Sequence, residues 1–109
     1  MKHLFAIVAA ATAIFANAQD FPGSRPISIV VPFAAGGPTD LVARQLAEAM
    51  RKATAGKANF VVENTVGAGG TIGATRVARA VPDGHTLLLF HIGMAATPAL
   101  YKNIQYKPL

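Results

Sequence analysis

The chain has 109 residues, no cysteine and a formal net charge of +5, with 52% hydrophobic and 7% aromatic residues. The basic residues are dispersed and form no run interleaved with aromatic residues, which argues against a nucleic-acid-binding protein. The absence of cysteine excludes a small secreted scaffold held by disulfides, so the fold must rest on packing.

The first 18 residues show the three parts of a secretory signal peptide. Lys2 and His3 give a basic start, residues 4–15 are apolar apart from Thr12, and Ala16-Asn17-Ala18 is a small-residue cleavage signal. The apolar run is shorter than the roughly 20 residues that span a bilayer. We therefore predict a signal peptide at 1–18 and an exported chain at 19–109. A buried core helix is the alternative interpretation.

Residues 27–33 are the first predicted strand, because Ile, Val and Phe dominate them as in a parallel strand buried on both faces. Pro32 should end its ladder. A helix should follow, with Gly37 as N-cap, Pro38 at the first helical position and Asp40 in the first turn. Its spacing of apolar residues predicts a buried stripe formed by Val42, Leu46, Met50 and Ala53.

The rest of the chain continues the alternation of strands and helices. We predict a strand at 60–62, a helix at 72–80 and a strand at 85–91, followed by a short helical turn around Pro98. The second helix should turn three residues inward: Ile72, Val77 and Ala80. A β-α-β-α-β order with short links predicts an α/β fold with a parallel sheet.

Three loops, 34–40, 64–70 and 92–97, follow the carboxyl ends of the strands, where ligands bind in open α/β sheets. They are rich in Gly, Ala and Thr, and therefore offer backbone amides that suit carboxylate, phosphate or sulfate. A tight connection with ordinary capping explains the glycines equally well. For Asp40, too, two interpretations stay open: capping of the helix, or contact with a bridging water or a ligand ammonium.

Enzyme chemistry finds little support in the sequence. The glycines from Gly67 to Gly73 are spaced G-x-G-x-x-x-G, which differs from the dinucleotide-binding fingerprint. Thr39, Thr65, Thr71, His85 and His91 form no acid–histidine–nucleophile pattern, and a lone histidine such as His91 is more often a hydrogen-bonded structural residue. We predict no enzyme activity, no cofactor and no metal site.

Three segments together resemble the substrate-binding proteins of tripartite tricarboxylate transporters, the Bug family. They are RPISIVVPFAAGGPTDLVARQLAEAM, VVENTVGAGGTIGATRVARAVPDGHTLLL and PALYKNIQYKPL. The resemblance implies a periplasmic-binding-protein-like fold, type II-like, with two α/β domains around a cleft. Residues 19–109 would form only the N-terminal part of the first domain. It further implies a periplasmic receptor that captures a small organic carboxylate or acidic amino acid for membrane transporter subunits.

The resemblance also implies which residues meet the ligand. The loop after the first strand would contribute Phe33, Ala34, Ala35, Gly36, Gly37, Thr39 and Asp40, and the other two loops Gly69, Gly70, His91, Ile92 and Gly93. Two positions depart from the family pattern: Val66 stands where a proline is common, and His91 where a small or amide residue is frequent. Two alternatives remain, a secreted α/β hydrolase-like enzyme that uses His91 on an anionic ester, and a fragment without function of its own.

Overall fold

The computed structural model describes residues 20–108. Three parallel strands form one sheet in the order β2-β1-β3: β1 at Ile27–Val31, β2 at Phe60–Asn64 and β3 at Thr86–Leu88. The helices are α1 at Pro38–Ala53, α2 at Thr71–Ala78 and α3 at Thr97–Leu100, with 3-10 turns at Ala68–Gly70 and Ile92–Ala96. The predicted α/β class and parallel sheet are confirmed. The predicted signal peptide lies outside the described residues.

The central strand β1 carries the core. Ile29 and Val31 lie on the side of β1 that faces α1 and pack against Ala43 and Ala47 of that helix. Val30 is fully buried on the opposite side, because successive side chains of a strand alternate between the faces of the sheet. Only β1 is buried along most of its length, since β2 and β3 are the edges of the three-stranded sheet.

The predicted start of α1 is correct, but its predicted buried stripe is wrong. Gly37 is the N-cap and Pro38 the first helical residue. However, Val42 and Leu46 are 55% and 43% exposed. The buried residues are instead Asp40, Ala43 and Ala47, which share one face of the helix at spacings of three and four. Small alanine side chains allow the helix to lie close to the sheet, whereas the larger residues point away from it.

Helix α2 shows the same preference for small residues at the sheet. Its buried positions are Gly73 and Ala74, whereas Ile72, predicted to point inward, is 51% exposed. A Cβ on Gly73 would lie 2.7 Å from Cβ of Pro32 and 3.0 Å from the carbonyl oxygen of Thr65. The absence of a side chain at 73 therefore brings α2 against the end of β1, and Ile72 is left on the outside.

The third strand is shorter than the predicted 85–91. Backbone hydrogen bonds to β1 continue one residue beyond each end of β3. Ser28 N–H donates to the His85 carbonyl at 2.8 Å, and Leu89 N–H donates to the Val30 carbonyl at 3.0 Å. Beyond Leu89 the chain leaves the sheet, and Phe90 and His91 pack with Phe33. The last two residues of the predicted strand, Phe90 and His91, thus belong to an aromatic cluster with Phe33 and not to the sheet.

Candidate functional site

A cleft of about 500 Å³ lies beyond the carboxyl end of β1. Its lining residues come from the loop before α1 and from the segment after β3: Phe33, Ala34, Gly37, Pro38, Thr39 and His91. A hollow of about 230 Å³ adjoins it and shares Pro38, Thr39 and His91. The structure therefore brings five predicted site residues from two loops into one cleft, at the edge of the sheet where α/β proteins bind ligands.

A larger hollow, about 610 Å³, is formed by residues 20–25 with Asp83 and His85. It contains none of the predicted site residues and does not lie beyond the carboxyl ends of the strands. Arg25 and Asp83, which both line this hollow, form a salt bridge at 2.5 Å. We therefore place the candidate site in the smaller cleft.

Asp40 is buried beneath the loop that precedes α1, with 1% of its surface exposed. One carboxylate oxygen, Oδ2, accepts from Gly36 N–H at 2.8 Å and from Arg44 Nε–H at 2.9 Å. The other, Oδ1, accepts from the Asn64 side-chain amide at 2.9 Å. These donors, Arg44 first, hold the pKa of Asp40 well below its usual range. Asp40 therefore binds its own loop, and its carboxylate does not face the cleft.

Asn64 connects this buried carboxylate to the start of the loop. Its side-chain amide donates to the Phe33 carbonyl at 3.0 Å as well as to Asp40, and its oxygen accepts from Arg44 at 3.3 Å. The network thus joins β2, α1 and the loop after β1. Sequence reasoning assigned no role to Arg44 or Asn64, although the spacing of Asp40 and Arg44, four residues apart on a helix, is the usual signal for an ion pair.

The two glycines of the loop serve the turn. Gly36 has φ of +82°, which favours glycine, and its amide is taken by Asp40. The amide of Gly37 donates to the Ala34 carbonyl at 3.2 Å. By contrast, the amides of Ala34, Ala35 and Thr39 have no acceptor among residues 20–108. The free amides of the loop are therefore those of Ala34 and Ala35, just before the helix, and those of Thr39 and Asp40, in the first turn of the 16-residue helix α1.

His91 forms one aromatic wall of the cleft. Its ring stacks on Phe33 with centroids 4.5 Å apart and an angle of 20°, and meets Phe90 edge-on at 5.2 Å. Its Nδ1 accepts from Gly93 N–H at 2.9 Å and so caps the 3-10 turn that follows. No carboxylate of the described residues pairs with His91, so the arrangement lacks the acid that a catalytic histidine requires.

The predicted residues Gly69 and Gly70 do not line the cleft. A Cβ on Gly70 would lie 2.5 Å from the Phe90 ring and 3.3 Å from Phe33, and φ of Gly70 is +94°. Gly69 has φ of +60°, and a Cβ there would meet the Tyr101 hydroxyl at 2.2 Å. Both glycines are thus explained by backbone conformation and by packing against aromatic side chains.

The last two predicted residues also lie off the cleft lining. Ile92 is 92% exposed. Gly93 packs against the His91 ring, because a Cβ on Gly93 would lie only 2.5 Å from Cε1 of His91. Within residues 20–108, no group of three His, Cys, Asp or Glu residues is placed to hold a metal ion, and no helix is both long and apolar enough to cross a membrane.

Comparison with known proteins gives consistent matches. Residues 42–109 match the family described as tripartite tricarboxylate transporter family receptor. A UPF0065 protein from the TAR-I ttuE-ttuC' intergenic region of Agrobacterium vitis is 55% identical over 94 residues, which is 86% of this chain and 27% of that protein.

Two solved structures share the fold of this chain. The periplasmic binding protein BugD has a TM-score of 0.73 at 60% identity, over 78% of this chain and 28% of its own. MatC from Rhodopseudomonas palustris, with bound malate, has a TM-score of 0.73 at 49% identity, over 81% of this chain and 29% of its own. The chain thus spans between a quarter and a third of the length of these relatives.

Proposed function

The chain belongs to the tripartite tricarboxylate transporter receptor family, and on this premise we propose that its cleft holds a small organic carboxylate. The family consists of solute-binding receptors and not of enzymes, which agrees with the prediction of no enzyme activity. The hydrolase-like alternative for His91 is thereby set aside.

The free amides of the loop are the observation that carries the proposal. Thr39 has a free N–H in the first turn of α1, where the helix dipole favours a negative charge, and Ala34 and Ala35 have free N–H groups in the loop just before it. Ala34 and Thr39 line the cleft. The nearby carboxylate of Asp40 would repel an anion, but it is buried and paired with Arg44 at 2.9 Å. The loop therefore offers donors to an anion without an uncompensated negative charge beside them.

The rest of the cleft suits a short carbon skeleton. The stacked rings of Phe33 and His91 provide a flat apolar wall, and Pro38 adds to it. Backbone amides and an apolar wall together fit an aliphatic carboxylate better than a strongly hydrated inorganic anion. Malate bound to MatC supports this ligand class.

An acidic amino acid fits the described wall less well than a carboxylate without an amine. An ammonium group requires an acceptor, and the residues that line the cleft include no acidic side chain. Asp40 is the acidic residue closest in sequence to the lining residues, and both of its carboxylate oxygens already accept hydrogen bonds from the protein. We therefore favour organic acids over amino acids as the ligand.

We further propose that the chain acts in the periplasm, as part of a receptor that delivers its ligand to membrane transporter subunits. The family match and the likeness to the periplasmic binding protein BugD support both statements. The predicted signal peptide at 1–18 supports export, and processing before Gln19 would be visible in the mass of the secreted protein.

A calorimetric titration tests the binding proposal. The full chain is titrated with malate, and with malamide as a matched control in which neutral amides replace both carboxylates. We expect saturable heat with malate and none with malamide, with Kd of about 1 mM or weaker for so open a cleft. No heat with malate, or equal heat with malamide, would overturn the carboxylate site. A cooperative thermal transition of the same sample would exclude an unfolded fragment.

A further inference from the structure

We propose that His91 determines which carboxylates the cleft prefers, by donating a hydrogen bond from Nε2 to a second acceptor group of the ligand. This inference rests on the proposed function and adds the selectivity to it. It predicts a preference for dicarboxylates and hydroxycarboxylates over simple monocarboxylates.

The contact with Gly93 defines where the neutral ring carries its proton. A backbone N–H is only a donor, so the Nδ1 atom that lies 2.9 Å from Gly93 N must be the acceptor. A neutral imidazole has one acceptor and one donor nitrogen. The proton of neutral His91 therefore lies on Nε2, which has no protein partner among the described residues.

The ring is held in place although His91 is an exposed residue. Phe33 covers one face at 4.5 Å, Phe90 contacts it edge-on at 5.2 Å, and Gly93 lies against Cε1 so closely that a Cβ would approach to 2.5 Å. Three contacts and one hydrogen bond restrict the rotation of the side chain. The Nε2 donor is consequently oriented before a ligand arrives, which lowers the entropy that binding must remove.

The ring lines the same cleft as the proposed anion site. His91 lines the same cleft as Ala34 and Thr39, and it also lines the adjoining hollow. A ligand with one carboxylate at the loop amides would carry its second oxygen group along the aromatic wall toward His91. A monocarboxylate of equal length has no group there to accept the bond.

Two probes of matched length test the inference. The full chain is titrated with succinate and with butyrate at one fixed pH. His91→Phe keeps an aromatic ring on Phe33 but removes the donor. His91→Asn keeps an acceptor for Gly93 N–H and a donor in the cleft.

We expect His91→Phe to weaken succinate binding about threefold to tenfold more than it weakens butyrate binding, the effect of one hydrogen bond. His91→Asn should retain more of the succinate affinity than His91→Phe. Equal losses for both probes, or no loss for either, would overturn the role of His91 while leaving the carboxylate site intact. If the unmodified chain binds neither probe, the proposed function itself fails, and this inference with it.

The tautomer offers a readout that needs no ligand. Nitrogen-15 NMR of the imidazole should show a protonated Nε2 and an unprotonated Nδ1 in the free protein at the same pH. Addition of succinate should shift the Nε2 resonance more than addition of butyrate. A neutral ring protonated at Nδ1 would contradict the donor assignment, whatever the binding data show.

Discussion

Replacement of Gly70 by alanine should destabilise the protein and disturb the aromatic wall of the cleft. Gly70 is buried, has φ of +94° and supports Phe33 and Phe90 from behind. A Cβ at this position would lie 2.5 Å and 2.6 Å from two carbons of the Phe90 ring, closer than carbon atoms approach without displacement. The Phe90 ring would have to move, and with it the edge-on contact that helps to hold His91.

Two terms contribute to the expected loss. An alanine in left-handed conformation costs about 1–2 kcal/mol, and overpacking of a filled site typically costs about 1–3 kcal/mol. Gly36→Ala is the matched control, because Gly36 also has positive φ, +82°, but a Cβ there would meet nothing within 4 Å. Gly36→Ala should therefore lose only the conformational contribution. Gly70→Ala should lose both contributions, together about 2–5 kcal/mol of the free energy of unfolding.

Urea denaturation followed by circular dichroism measures both variants. The smaller entropy of the unfolded alanine variants is common to the pair and cancels in their difference. Gly70→Ala should be the less stable by about 1–3 kcal/mol, or be unfolded where Gly36→Ala still folds. Equal stability of the two variants would refute the claim that contact with Phe90 restricts position 70, and a more stable Gly70→Ala would refute the whole argument.

Two further perturbations follow from the structure. The folded-state pKa of Asp40 is lowered, so its contribution to stability is present above its ordinary value of about 3.9 and is lost as pH falls below it. Asp40→Asn should flatten this part of the stability curve in acid denaturation. Asn64→Ala removes one donor to Asp40 and should therefore move the loss of stability to higher pH. An acid limb that is unchanged in both variants would contradict the stabilising role of the hydrogen bonds to Asp40. In the core, Ile29→Ala should lower the free energy of unfolding by about 2–5 kcal/mol, measured by urea denaturation. Val61 is 39% exposed, so Val61→Ala should lower it much less. Similar losses in the two variants would argue against β1 as the centre of the core.

Much of the fold is readable from the sequence because local signals and global fold agree. The apolar run at the first strand, the Gly37-Pro38 helix start and the Pro82-Asp83-Gly84 turn each predict the observed element boundary or its neighbourhood. The shortened third strand is the exception. Phe90 is apolar and suits a strand, but its contact with Phe33 is tertiary and cannot be read from local spacing.

The buried faces of the helices were harder to predict. An apolar pattern ranks Val42 and Leu46 above Ala43 and Ala47, whereas the sheet selects the small residues that permit close packing. Asp40 adds to the difficulty, because a carboxylate is normally placed at the surface. Its burial depends on Arg44 and Asn64, and the latter comes from another element.

The sequence predicts the region of the candidate site, and the donor atoms depend on the structure. Loops at the carboxyl ends of the strands predict a site at this edge of the sheet, and Thr39 and His91 line one cleft there. The glycines suggested exposed amides, but the structure uses the amides of Gly36 and Gly37 within the loop. Which amides stay free depends on the burial of Asp40, and so on tertiary structure.

Amide NMR of the full chain during titration with malate measures whether the loop amides bind the ligand. We expect the backbone N–H resonances of Ala34, Ala35 and Thr39 to shift downfield together and to saturate at one Kd, because these amides acquire an acceptor. The amides of Gly36 and Gly37 should move less, since they already have acceptors. Malate binding that leaves the three loop amides unchanged, or that shifts residues 20–25 instead, would contradict the account.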